Sequence, residues 1–290
     1  MGAVGTLVRG ATVLRPFLMG LRAVEREMEL GGEMAVLQGE PEATRHLREL
    51  IGVHDEDAFL PPTHGVLVYA AVPSVDPDLA ASVLAGRKRD GGRVIAVLVG
   101  GTSARARMAR AFLSHPPLAE SDLVHARALD ERALREIAAA LGDVAIATAS
   151  RHPALREAVA AHLINRASRR AAAIAAIMLP GADMPAITLV QVGLIARLAA
   201  VHGRPLGGGK RLAEIVAVVV GGLGWRSVAR QTVRLVPGAG WAAKGAIGYS
   251  GTRAVGEAAR VWFAEGGDLA DDPLAGLRAR VEARRRGKPG

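Results

Sequence analysis

Two continuous apolar runs, Gly65–Ala71 (GVLVYAA) and Arg93–Val99 (RVIAVLV), constrain this chain more than any other feature. A run without polar alternation suits a strand buried on both faces. Between them, Asp76-Pro77 offers a helix start, and the stretch to about Gly86 reads as a helix. Two strands joined through a helix imply a parallel pair with a right-handed crossover. Ser103–Leu113 reads as a second helix and Asp122–Ala128 as a third strand. Asp130 is placed to cap a helix Glu131–Leu141. Residues 64–142 are therefore expected to form a small three-strand parallel α/β unit.

The pattern changes on either side of this unit. Residues 3–30 look helical, with Pro16 interrupting, and 41–51 look like a short helix. Residues 54–63, with Pro61 and Pro62, read as a loop. From about 152 onward the pattern is helical, with candidate helices at 153–179, 184–202, 208–235, 238–265 and 274–286. Prolines at 153, 180, 185, 205, 237 and 273 stand near their boundaries. The expected organisation is an N-terminal segment 1–63, an α/β unit 64–150, an all-α domain 151–268 and a basic tail 269–290.

The charge is split between the halves. Residues 151–290 carry 21 Lys+Arg against 9 Asp+Glu, a net of +12, whereas residues 1–150 carry 16 against 19, a net of −3. A basic helical half points to an anionic partner, with an anionic membrane surface first. Nucleic acid is disfavoured, because no aromatic platform interleaves the basic residues. No segment reaches the roughly 18 uncharged apolar residues of a membrane helix. The runs Ala171–Ala182, Met184–Ala196 and Ile215–Trp225 read first as buried helices, and second as segments lying in a membrane interface. Arg9, Arg15 and Arg22 break up the N-terminal apolar stretch, so no secretory signal is expected. The expected location is cytoplasmic, at the inner face of the cell membrane if the basic half engages lipid.

Chemistry is sparse. The chain has no cysteine, which removes disulfides, thiolate metal sites and cysteine nucleophiles. His54-Asp55-Glu56-Asp57 has metal-binding atoms but no second ligand group at helical spacing, and reads as an acidic loop. Gly209-Lys210 is the nearest approach to a phosphate-binding loop. It fails because Arg204 stands where the first glycine belongs and Arg211 where the hydroxyl belongs. The turn Gly100-Gly101-Thr102-Ser103 follows a buried strand and opens a helix. It is the one candidate cradle for a phosphate or nucleotide. No cofactor or metal is expected.

The helical half offers interaction residues. Arg226, Arg230 and Arg234 recur every four positions and form a basic stripe on a helix. In 238–265, Gly245, Gly248 and Gly251 recur every three positions, and Gly248, Thr252 and Gly256 every four. Such a face admits a close partner helix, in the same chain or in a second subunit. The polar interaction surface is expected to comprise Asp183, Gln191, Arg226, Arg230, Arg234, Thr252 and Arg253.

Residues 180–203 (PGADMPAITLVQVGLIARLAAVHG) and 236–259 (VPGAGWAAKGAIGYSGTRAVGEAA) carry a family resemblance. The marks are Pro180, Ala182-Asp183, Pro185, Gln191, Gly203, Pro237-Gly238, Thr252 and Gly256. They resemble the GTPase-associated bacterial domain of unknown function shared with YcjF-type inner-membrane proteins, in an uncharacterised actinobacterial branch. The resemblance implies a helical module on the cytoplasmic side, often membrane-associated, without an established reaction. It also implies that the α/β unit is a degenerate GTPase-like remnant. The second strand ends in Val99-Gly100-Gly101-Thr102 rather than in a guanine-reading Asn-Lys-x-Asp, so no nucleotide-binding residue carries over. The expected function is a non-enzymatic membrane-associated or scaffolding protein, acting through helix packing and a basic surface. The alternatives are a nucleotide-dependent switch with an atypical phosphate site, and a soluble homo-oligomer.

Overall fold

The computed structural model describes residues 19–20, 22–30, 32–53, 65–177, 183–204 and 240–267. The expected helices 208–235 and 274–286, the loop 54–63 and the basic stripe of Arg226, Arg230 and Arg234 lie outside the described residues. The chain divides into two units, residues 26–162 and residues 1–25 with 163–290.

The first unit is α/β. Its elements run β1 (Met34–Val36), α1 (Pro41–Ile51), β2 (Val66–Ala71), α2 (Asp78–Arg89), β3 (Arg93–Val99), α3 (Thr102–Leu113), β4 (Leu123–Ala126), α4 (Glu131–Ala140) and α5 (Ala145–Arg151). The sheet is entirely parallel, in the order β1-β2-β3-β4. It therefore has four strands rather than three. The additional strand β1 is fully buried and pairs Met34 with Val66 and Val36 with Val68. This places β1 and α1 in the sheet unit rather than in a separate N-terminal segment, and the unit continues past residue 150 to His162.

The apolar runs are continuous because both faces of the sheet are covered. Leu67, Tyr69 and Ala71 of β2 and Val94, Ala96 and Leu98 of β3 pack with Leu84 of α2 and Phe112 of α3. The alternate residues Val66, Val68, Ile95 and Val97 point to the opposite face. They are also buried, and α1 and α4 pack against these strands. The Tyr69 and Phe112 rings lie 6.2 Å apart between centroids. Lys88 at the end of α2 pairs with Asp122, whose carboxylate also accepts from the Ala119 N–H at 2.7 Å.

The helix α6 (Arg156–Ile177) runs from the first unit into the second. The second unit also holds α7 (Asp183–Val201) and α8 (Gly240–Ala264). The glycines of α8 meet α6 of the same chain. A Cβ added at Gly248 would stand 2.9 Å from both the Ala171 carbonyl oxygen and the Ala175 Cβ. At Gly256 it would stand 2.8 Å from Ile164 Cγ1 and 3.0 Å from Leu194 Cδ2 of α7. At these positions the small residues of α8 meet helices of the same chain. At the end of α7 the His202 ring rests against Phe263, with centroids 6.3 Å apart.

Glycine in a helix costs about 1 kcal/mol relative to alanine, so alanine gains where there is room. At Gly86 the nearest atom to an added Cβ is an Arg89 terminal nitrogen at 3.8 Å. Gly86→Ala is expected to stabilise the α/β unit by up to about 1 kcal/mol. Gly248→Ala is expected to destabilise the helical unit by about 1–3 kcal/mol, because α6 and α8 must separate. Denaturant unfolding of the two variants checks the opposite signs.

Candidate functional site

Four parallel strands deliver four strand-to-helix turns to one edge of the sheet, the edge where open α/β sheets hold ligands. Three of these turns are closed by the chain's own carboxylates. At β1–α1, Glu40 is the N-cap and accepts from the Ala43 N–H at 2.7 Å. In the same turn the Gly39 N–H donates to Thr44 Oγ1 at 3.1 Å, and Pro41 supplies no N–H. At β2–α2, Asp76 accepts from the Asp78 N–H at 3.1 Å. At β4–α4, Asp130 accepts from the Arg132 and Ala133 N–H groups, both at 3.0 Å, as its position in the sequence predicts. Each carboxylate supplies the negative charge that a helix N-terminus favours.

The fourth turn is the predicted cradle: Gly100 and Gly101 lie between β3 and α3, and Thr102 and Ser103 are the first two residues of α3. Gly100 has φ +132° and donates its N–H to the Ala126 carbonyl at 3.1 Å. That N–H is therefore spent within the sheet. Gly101 is the N-cap of α3 and makes no side-chain cap. Thr102 and Ser103 are exposed, and the first turn holds no acidic residue. Beside it runs a shallow groove lined by Pro73, Asp76, Asp78, Ala104, Arg107 and Met108. Two carboxylates against one guanidinium make that groove unfavourable for a phosphate chain.

Among the described residues, no group of three or more His, Asp or Glu could hold a metal. Nor is any described helix long and apolar enough to cross a membrane. The His54–Asp57 segment lies outside the described residues.

The expected interaction surface is revised by α7 and α8. Gln191 and Thr252 are not on a surface. They are 7% and 0% exposed and meet across the two helices, with Gln191 Nε2 donating to Thr252 Oγ1 at 3.3 Å. The polar types suggested exposure, but between two packed helices a polar pair that satisfies itself is tolerated. Asp183 is the first residue of α7. Arg253 is exposed as expected. It donates to Asn165 Oδ1 at 3.0 Å and to the Tyr249 hydroxyl at 3.4 Å, and lies 3.7 Å from Glu257. Arg226, Arg230 and Arg234 fall outside the described residues.

A second basic surface was not anticipated. Arg166, Arg169 and Arg170 of α6 are all exposed, on the helix whose Asn165 accepts from Arg253. A sequence signal for it exists: no acidic residue stands between Glu157 and Asp183. In the α/β unit, His152 follows α5, and burial pushes its pKa below its ordinary 6.5. A hydrogen bond with the Gly52 backbone opposes the shift, the Arg151 charge adds to it and Glu33 opposes it.

Thr252→Val leaves the buried Gln191 amide without its acceptor and is expected to cost about 1–3 kcal/mol. The double variant with Gln191→Leu is expected to cost less than the sum of the single ones, read by a double-mutant cycle. His152 predicts a pH effect. With its folded pKa below the unfolded one, the unfolded chain binds more protons, so stability falls as pH drops through and below about 6.5. Thermal melts between about pH 7 and pH 5 should show this loss, and His152→Gln should flatten it.

No family model matches the chain, and neither a curated protein nor a solved structure matches it.

Proposed function

We propose that this protein is a non-enzymatic, membrane-associated or scaffolding protein. Its α/β unit is a degenerate GTPase-like platform, and its GTPase-associated helical domain works at the inner face of the cell membrane. The observation that carries the reading is the set of carboxylates Glu40, Asp76 and Asp130 at three strand-to-helix turns. They occupy the helix N-termini with fixed negative charge, where a nucleotide would have to bring its own. The residues quoted for the family resemblance and the net +12 of residues 151–290 support the membrane arm. A nucleotide-dependent switch remains the second reading, favoured by the uncapped N-terminus of α3 at Gly101.

One measurement separates the two. GTP or ATP with Mg²⁺ at about 1 mM is expected to leave the melting temperature unchanged. A nucleotide bound with a Kd of about 10 µM would instead add about 2.7 kcal/mol of stability. A clear rise that Gly101→Asp abolishes would transfer the assignment to the switch.

A further inference from the structure

We propose that the outward face of α6, formed by Arg166, Arg169, Arg170 and Ile177, docks the protein on an anionic lipid bilayer. The inference rests on the membrane arm of the function proposed above and names its surface. At 100° per residue, Arg166, Arg170, Ala173 and Ile177 fall on one strip of the helix, with Arg169 beside it. All five are exposed. The opposite strip, Ile164, Ser168, Ala171 and Ala175, is buried, and Ile164, Ala171 and Ala175 lie against glycines of α8. The helix is thus held by one face and presents the other.

Charge and apolar character coincide on that face. None of the three arginines has an ion-pair or hydrogen-bond partner among the described residues. Ile177, at 85%, is the most exposed large hydrophobic side chain among the described residues. Guanidinium groups on long apolar stems, with an isoleucine at the end of the strip, match the boundary between headgroups and acyl chains. A nucleic acid would use the charge but not the isoleucine, and residues 163–177 hold no aromatic ring for a base to stack on.

The test is flotation of the full chain with vesicles of phosphatidylcholine alone or mixed with phosphatidylglycerol, at low and high salt. Wild type is expected to float only with the anionic vesicles and to be released by salt. Reversing the face with Arg166→Glu, Arg169→Glu and Arg170→Glu should lower the partition coefficient on the order of 100-fold. The neutral set Arg166→Gln, Arg169→Gln and Arg170→Gln should weaken it in the same direction, and carries the comparison if the reversed set melts early. Ile177→Ser should weaken binding at every salt concentration. Arg107→Glu with Arg110→Glu, exposed on α3 of the other unit, should leave it unchanged. If wild type floats and both α6 sets float equally well, the surface is wrong while the membrane reading stands. If wild type floats with no vesicle, both fall. Retention of an oligonucleotide through these arginines without flotation would likewise overturn the proposal.

Discussion

The helical unit depends on how closely α8 approaches α6. At Gly248 the gap to the Ala171 carbonyl does not admit even a methyl group without displacement. That contact fixes which strip of α6 faces inward. It therefore also fixes which strip faces outward, and Arg166, Arg169 and Arg170 fall on the outward one. The glycines lower the intrinsic helicity of α8, and the close packing they permit offsets that cost. Gln191 and Thr252 complete the arrangement by meeting each other's polar needs between α7 and α8.

The sheet unit follows a different logic. Its interior is aliphatic, with Phe112 against Tyr69 as its aromatic contact. Its strand-to-helix edge is acidic through the caps Glu40 and Asp130 and through Asp76, which accepts from the first N–H of α2. The same carboxylates that start the helices set the local charge, so a structural need and a binding property are carried by the same atoms. The contrast with the basic, acid-free stretch of α6 separates the two units by surface chemistry as well as by architecture.

The long features of the fold were legible because their signals are strong. β2 and β3 stand out as unbroken apolar runs, and Asp130 caps α4 where the sequence places it. β1 was missed because three residues, Met34–Val36, carry no periodicity, and their strand identity comes from pairing with β2. The glycine spacing of α8 signalled a close neighbour but not whose helix it was, since spacing carries no information about connectivity. Gln191 and Thr252 were misplaced for a related reason: residue type predicts exposure only until two polar groups find each other. The α6 arginines were readable as an acid-free interval, yet only the burial of Ala171 and Ala175 shows that the arginines share an open face.

The absence of cysteine makes the most direct measurement simple, because a single introduced thiol carries a unique spin label. With Ile177→Cys labelled, anionic vesicles are expected to raise the label's accessibility to oxygen and lower its accessibility to a water-soluble nickel chelate. A label at Arg110→Cys should show neither change. Unchanged accessibility at position 177, with the protein bound to the vesicles, would contradict the account.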